Sequence, residues 1–550
     1  MNNSLDIVNT EDEEFKEHYN ELMLKIKKKK LEEYEPNITE INKVYEVIVN
    51  FIKEKKRKIY GGYALDKLLV QKNKGYALYD ELDTPDIDFY SPEPLDDLLE
   101  LCDRLFKAGL KDVAGQEAQH KETYSIFVNH VGPYCDISYM PNNIYSHTRF
   151  IQIDGFNVVH PWFMMIDYYR MFTDPINSYW RLEKHFARYL KLQKTYPLPL
   201  ISKPLKISPY SNDDITIAMN KLFDFIAEKE TTLLTGFYAY NYYLYISEYY
   251  KANKNYEYIY MPYLEAYSTN YINDGIELIE FIKTLPEDIS SKLTYTENYP
   301  FTQFYGYNVV IYFNDGKDKI PILYLYSNNK KCLPYKEVEY IKFDNLNKNK
   351  PIKIKSMSLK IASFDFNILH SLIILVKVRI DEDNDWNDTL YKLINGYVCF
   401  RKYYFKKNNL SIYDDSIFQS FVINCIGETI SHDRESRLVK KSRKKLGKPL
   451  VYRYDPEQGK RPGKYIFLNS SGNAINKDIN LRLVEKNKNK NIQDEFDDEE
   501  KDNDNDNESV SSQSTNTSRI SENNSKKNES DKSDKSDESD ESDELDSNIF

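Results

Sequence analysis

Glycine, cysteine and tryptophan are scarce in this 550-residue chain, at 17, 5 and 3 residues. The cysteines (Cys102, Cys135, Cys332, Cys399, Cys425) form no Cys-x-x-Cys pair and have no histidine at ligand spacing. That excludes a zinc finger and offers no disulfide framework, so the thiols are expected to be free. Long apolar runs are missing too. The densest, Leu372 to Val376, falls far short of the roughly 18 residues a membrane span needs. The acidic, polar start MNNSLDIVNTEDEEF has the character of neither a signal nor a transit peptide. These absences point to a soluble, intracellular chain. What is present is ordinary for globular cores, 41% hydrophobic and 29% charged, and the length predicts two to four domains.

The formal net charge of −12 is unevenly placed. Residues 491–550 carry 21 acidic and 6 basic side chains, a net of −15, which leaves the first 490 residues at +3. The Ser/Asp/Glu repetition of the tail cannot bury enough apolar surface to offset ordering, so residues 485–550 are expected to be a disordered acidic tail. Within the body, residues 434–464 hold 12 Lys/Arg against three acids. Such a stretch suits a polyanion, although a solvated charged face is the commoner reading of a single charge run.

Apolar spacing at Phe15, Tyr19, Leu22 and Ile26 predicts a helix over 12–34, and a second follows over 44–56. Then comes Lys58-Ile59-Tyr60-Gly61-Gly62-Tyr63-Ala64-Leu65-Asp66, a short apolar stretch, a Gly-Gly turn and a helical pattern. Glycines there would let backbone approach a ligand, and the helix start behind them offers free N–H groups to an anion. Downstream, Thr84-Pro85-Asp86-Ile87-Asp88-Phe89-Tyr90-Ser91 has period two and puts Asp86 and Asp88 on one face of a strand. Adjacent carboxylates repel unless a cation sits between them, and hard Mg²⁺ or Mn²⁺ takes oxygen ligands. Asp136 interrupts a third β-prone run, Pro133 to Tyr139.

Together these motifs resemble the DNA polymerase β-type nucleotidyltransferase superfamily, whose signature is a GG or GS turn, a DxD strand and a third Asp on a neighbouring strand. Within it, GGYALD, TPDIDFYS and the run Met171 to Lys184 are most similar to the poly(A) polymerase catalytic subunits of large nucleocytoplasmic DNA viruses. The likeness covers roughly residues 40–195. One departure is the long interval from Gly62 to Asp86, an inserted loop containing Asn73, Lys74 and Gly75. The resemblance implies AMP transfer from ATP to RNA 3′ ends at a two-metal Mg²⁺ or Mn²⁺ site. Asp86 and Asp88 would hold both ions and Asp136 the ion at the RNA 3′-hydroxyl. Gly61, Gly62, Arg181 and Lys184 would bind nucleotide, and Lys440, Lys441, Arg443, Lys444 and Lys445 the RNA. It also implies a virion and host-cytoplasmic location. Uridylyl- or CCA-adding transfer, an oligoadenylate synthetase activity and a non-catalytic processivity subunit are the alternatives.

The chain also echoes itself in order. Thr235 to Tyr240 matches Gly61 to Asp66, Leu264 to Ser268 matches Ile87 to Ser91, Pro321 to Leu325 matches Pro133 to Ile137, and Ile341 to Asn345 matches Ile151 to Gly155. Tyr263, Glu265 and Tyr324 then stand at the places of Asp86, Asp88 and Asp136. The expected fold class is therefore α+β, with two nucleotidyltransferase-like mixed-sheet domains in tandem, the second degenerate and inert. The predicted division is a charged helical segment (1–39), a catalytic domain (40–195), a degenerate domain (196–410) open to self-association, an extension (411–484) and the tail.

Other signals read more plainly. Arg170, Arg181, Lys184 and Arg188 are expected on one helix, with 181, 184 and 188 sharing a face. His160 has no nucleophile partner at a recognisable spacing. Asp381 to Asp388 lacks the glycine and terminal glutamate of a calcium loop. The 48 tyrosines could stack bases, but accompany an Asn-, Lys- and Ile-rich composition.

Overall fold

Two stretches of the chain fold by one recipe: a helix, a short strand, a glycine turn into a second helix, and a mixed sheet closed by two more helices. The computed structural model describes residues 13–33, 37–120, 122–200, 205, 207–301, 304–316, 318–344, 350–380, 385–445, 447 and 450–459. The acidic tail, Lys460, Arg461, Lys464 and residues 381–384 lie outside the described residues.

The first stretch runs α1 (Glu13–Glu33), α2 (Ile38–Glu54), β1 (Lys58–Tyr60), α3 (Gly61–Lys72), β2 (Asp88–Ser91), α4 (Pro94–Lys107), β3 (Ala114–Glu117), β4 (Thr123–Val128), β5 (Val131–Tyr139), α5 (Asn142–His147), β6 (Phe150–Ile153), β7 (Phe156–Val159), α6 (Pro161–Phe172) and α7 (Pro175–Thr195). Helix α2 begins earlier than its apolar spacing suggests, because the Asn37 side chain accepts from the Thr39 and Glu40 amides and caps it. The second stretch runs α8 (Asp213–Ala227), β8 (Thr232–Thr235), α9 (Gly236–Ser247), α10 (Tyr249–Ala252), β9 (Leu264–Ser268), α11 (Tyr271–Thr284), α12 (Glu287–Ser290), β10 (Leu293–Asn298), β11 (Asn308–Asn314), β12 (Lys319–Ser327), β13 (Leu333–Asp344), β14 (Lys350–Ala362), α13 (Phe364–Ile380) and α14 (Asp385–Asn408). After it come β15 (Cys425–Ile426), α15 (His432–Lys445) and β16 (Arg453–Tyr454).

The sheets are ordered β16-β3-β4-β5-β2-β1-β7-β6 and β10-β11-β12-β9-β8-β14-β13-β15. Counted from the first strand of each stretch, both read 3-4-5-2-1-7-6. Every pairing keeps its sense: β1–β2 and β8–β9 antiparallel, β2–β5 and β9–β12 parallel, β1–β7 and β8–β14 parallel. Side-chain details repeat as well. Tyr45 donates to the Pro85 carbonyl and Tyr210 to the Pro262 carbonyl, each just before the strand that leads the sheet's middle.

Several expectations need correction. Gly61 superimposes on Gly236 rather than on Thr235, since Tyr60 pairs with Asp88 and Thr235 with Glu265. The fourth sequence match lands on equivalent strands in different registers. Ile151 lies opposite Val158, whereas Ile341 lies opposite Lys353 on hairpin strands that are longer and bulged. Arg170 ends α6, and Arg181, Lys184 and Arg188 ride on α7, because Asp174-Pro175 starts a new helix. Residues after 410 are woven into both sheets, β15 extending β13 and β16 extending β3. Cys332 and Cys425 are not free thiols. The β13–β15 pairing brings their Cα atoms to 5.6 Å and they form a disulfide across 93 residues, a separation no local motif could reveal.

The core follows strand alternation. Ile59, Phe89, Ile137 and Val158 are buried, and Phe89 meets Phe51 of α2. Asp88 and Asp136, one residue earlier on parallel neighbours, point to the other face. Helix α6 packs on α13 and its Trp162 meets Tyr391 of α14, joining the two halves. Among the described residues no helix is long and apolar enough to cross a membrane.

Candidate active site

The turn from β1 into α3 is shaped by a carboxylate. Gly61 has φ +74°, a left-handed conformation, and a Cβ there would overlap the Asp88 carboxylate. Antiparallel pairing sets Tyr60 beside Asp88, and the parallel register Phe89↔Ile137 sets Asp88 beside Asp136. Asp86 precedes β2 rather than lying in it, on the same side two residues back. Asp88 and Asp136 from two neighbouring strands, with Asp86 from the segment leading into β2, thus meet the glycine turn at one corner of the sheet.

The corner is electrostatically unsatisfied. Asp88 is 1% exposed, and neither of its oxygens nor Oδ2 of Asp86 has a hydrogen-bond partner. Asp136 is better held, since Ser125 Oγ donates to its Oδ1 at 2.5 Å. Burial, then repulsion from Asp86 and Asp136, pushes the Asp88 carboxyl well above the usual range. Burial and then Asp136 raise Asp86 to about 7, against the pull of Lys184 and Arg188. Burial raises Asp136 to about 6, with the Ser125 bond opposing. Each orphaned buried acceptor costs about 1–3 kcal/mol, so folding stability does not explain this arrangement. A hard cation bound there would supply the missing partners and favour the charged forms. Among the described residues no three His, Cys, Asp or Glu side chains are already drawn into a metal-ligating cluster.

The cationic wall comes from α7. Lys184 and Arg188 act on Asp86, and the Arg188 guanidinium donates to the Tyr79 hydroxyl at 3.2 Å. A Cβ on Gly62 would overlap that hydroxyl and come within 3.3 Å of Arg188 Nη1. Gly61 therefore lies against Asp88 and Lys184 acts on Asp86, while Gly62 lies under Tyr79 and Arg188. Arg181 does not share their exposure: it is 7% exposed, its guanidinium lies 3.8 Å from the Trp180 ring centroid, and burial lowers its pKa to about 9. Tyr79 carried no signal in the sequence beyond its place in the long interval between Gly62 and Asp86.

The second sheet has the same corner with other contents. Gly236 has φ +62° and a Cβ on it would overlap Glu265. Tyr324 pairs with Glu265 as Asp136 neighbours Asp88. Tyr263 and Tyr324 are in ring contact at 4.9 Å, and Phe237 and Trp386 pack on Tyr263. Glu265 is itself engaged, 2.8 Å from His370 Nε2, while His370 Nδ1 lies 3.1 Å from the Tyr267 hydroxyl. Rings and a paired carboxylate occupy what is an open polar corner in the first sheet.

Helix α15 carries the basic residues. Arg443 makes a bidentate pair with Glu117 of β3 at 2.6 and 2.9 Å and also donates to the Leu450 carbonyl. Glu435 pairs with Lys330 beside β13. The helix is a strap between the sheets, with Lys440, Lys441, Lys444 and Lys445 exposed along it and Arg443 turned to the protein.

Comparison with known proteins agrees with this geometry. A family model described as poly(A) polymerase catalytic subunit matches residues 46–178, and one for the C-terminal part of a putative poly(A) polymerase catalytic subunit matches 192–485. The putative poly(A) polymerase catalytic subunit of Acanthamoeba polyphaga mimivirus is 34% identical over 469 residues, 80% of this chain and 78% of that protein. Its counterpart from African swine fever virus (isolate Pig/Kenya/KEN-50/1950) is 32% identical over 194 residues, 34% of this chain and 40% of the relative. Among solved structures, the Megavirus polyadenylate synthase superposes with a TM-score of 0.75 at 33% identity, covering 88% of this chain and 95% of that one.

Proposed function

The chain belongs to the viral poly(A) polymerase catalytic subunit family and is a nucleotidyltransferase that adds adenylate to RNA; from that premise we propose that the chemistry occurs at the corner of Asp86, Asp88 and Asp136. The observation carrying this reading is the set of orphaned, buried carboxylate oxygens on Asp86 and Asp88, for which the fold supplies no partner.

Those residues fit divalent cations. Asp86 and Asp88 would hold two Mg²⁺ or Mn²⁺ ions and Asp136 the one on the RNA side, and the ions would acidify the attacking 3′-hydroxyl and neutralise the triphosphate. The chain's own residues position the reactants. Ser125 fixes the Asp136 carboxylate by its hydrogen bond, and Gly61 keeps the turn backbone close against Asp88. Lys184 and Arg188 face the phosphates with positive charge, and the Gly61–Gly62 turn offers N–H groups at the start of α3. Phosphoryl transfer asks for little beyond such positioning and charge neutralisation.

Arg181, buried on α7 with its guanidinium over the Trp180 ring, would add its charge to the nucleotide side of the same helix. Lys440, Lys441, Lys444 and Lys445 grip RNA phosphates without sequence preference, and Arg443 holds the strap that presents them. Residues 40–195 form the catalytic domain and 196–410 an inert copy that serves as scaffold and self-association surface, completed by the two edge strands from the extension. The likeness to viral relatives supports a place in the virion and host cytoplasm.

The direct test extends an RNA primer with each NTP separately in Mg²⁺ or Mn²⁺, for the wild type and for Asp86→Ala, Asp88→Ala and Asp136→Ala. Extension with ATP that vanishes in all three variants is expected. Extension retained in any one of them would remove that aspartate from the site.

A further inference from the structure

The loop between α3 and β2 is tied down along its length. The Asn73 side chain accepts from the Gly75 amide, and the Leu78 amide donates to Asp66 of α3 at 2.6 Å. Farther on, Lys27 of α1 reaches across to Asp80 and Asp83 at 2.9 and 2.6 Å. Between those two anchors stands Tyr79, with its hydroxyl at Arg188. The loop is an insertion by the superfamily's measure, yet its Tyr79 meets the cation that lies over Gly62.

Gly62 shows how closely this is built. Its backbone is not left-handed, so φ does not demand glycine. What excludes a side chain is the Tyr79 hydroxyl and Arg188 Nη1 lying over it. The hydroxyl accepts from Arg188, and burial pushes the phenol above its ordinary range against the opposing effect of the arginine. An arginine on a free side chain must be ordered when it meets a ligand, and one already held in place spares that cost.

We propose that Tyr79 is a positioning residue for the nucleotide's triphosphate, holding Arg188 over the Gly61–Gly62 turn, and that Lys27 of the N-terminal helix latches the loop that carries it. The ligand class is a polyphosphate, and the inference rests on reading the Asp86 corner as the nucleotide site. Three consequences follow from the contacts. Tyr79→Phe keeps the ring and removes only the acceptor for Arg188. Gly62→Ala displaces the hydroxyl, whereas in a Tyr79→Phe background only the looser 3.3 Å approach to Arg188 Nη1 remains. The Lys27 latch, with the lysine 32% exposed, contributes less and is screened by salt.

Calorimetric titration of the full chain without RNA tests this, using ATP, inorganic tripolyphosphate and adenosine as separate probes. Tyr79→Phe should weaken ATP and tripolyphosphate by the same factor, about tenfold for a lost hydrogen bond to a charged group, and leave adenosine unchanged. In primer extension the change should fall on KM for ATP, with kcat within about twofold and KM for primer unaltered. Gly62→Ala as a single variant should weaken ATP and tripolyphosphate alike, and should cost less in the Tyr79→Phe background than in the wild type; an equal cost in both would show that the hydroxyl is not what it displaces. Lys27→Ala should cost about two- to threefold at low salt and nothing at high salt, with Lys27→Arg restoring the wild-type value. Wild-type affinity for tripolyphosphate in Tyr79→Phe, or a loss carried by kcat alone, overturns the role of Tyr79. A wild-type protein that binds neither ATP nor tripolyphosphate overturns the nucleotide-site reading beneath it.

Discussion

Replacing Asp88 by Asn should make the metal-free protein more stable and the enzyme inactive. Asp88 is buried with both oxygens unpartnered, pressed against Gly61 and repelled by Asp86 and Asp136. An amide of the same shape removes one charge from that cluster and adds two N–H donors beside two acceptors. Relief of an unsatisfied buried group is worth about 1–3 kcal/mol. For a unit of 150–250 residues that is a rise of roughly 2–12 °C in unfolding midpoint. The assay is thermal unfolding of wild type and Asp88→Asn in EDTA and again in saturating Mn²⁺, beside ATP-dependent primer extension. In EDTA the variant should melt higher, Mn²⁺ should raise the wild type and not the variant, and extension should fall by about a thousandfold or more. A variant that melts several degrees lower in EDTA would refute the reasoning, because Asp88 would then be a stabilising member of the fold. Equal stabilisation of both proteins by Mn²⁺ would refute it as well.

Glu265→Ala should do the reverse, losing about 1–3 kcal/mol by stranding buried His370 while leaving extension within about twofold, and a dead variant would show that the second corner is active. Affinity for Mn²⁺ should climb as pH rises through 6 to 7, because Asp136 and Asp86 keep protons to about 6 and about 7 and must release them to bind, as proton release in calorimetry would report. The same acids lose their protons near 4 when unfolded, so the folded chain binds more protons over that window and the metal-free protein should lose stability from pH 4 to 7; a midpoint that rises over this range would contradict the assignment. Replacing Lys440, Lys441, Lys444 and Lys445 by Ala together should weaken RNA uniformly across sequences and flatten the salt dependence by about one unit of slope for each phosphate no longer neutralised, while KM for ATP stays put. Arg443→Ala should instead lower the melting temperature, by freeing the strap from Glu117.

How much was legible beforehand differs from element to element. The GGYALD and TPDIDFYS runs could be read because a left-handed glycine turn and alternating carboxylates are local patterns, each spanning a few residues. The internal copy was readable for a related reason, since strand-and-turn patterns survive the loss of the carboxylates between them. Its register was not: hairpin length and a bulge in β13–β14 decide which residues face each other, and short matches slid by one residue at Gly236 and more at Ile341. The burial of Arg181 was not legible, because helical spacing says which residues share a face without saying how deeply each is buried. Tyr79 was invisible, one tyrosine among 48 in a loop without periodicity.

The sequence alone determined the chemistry-bearing residue types, the two-copy α+β plan and the concentration of negative charge in the last 60 residues, because composition, period and local turn geometry need no knowledge of distant neighbours. Only the tertiary structure decided that Cys332 bonds Cys425, that α15 straps one sheet to the other, that His370 meets Glu265 at the corner of the second sheet, that Tyr79 meets Arg188 and that Lys27 reaches Asp80 beside it. Each of those joins residues about 50 or more positions apart. Their energies depend on where burial and strand order bring side chains together, which no local stretch of chain encodes.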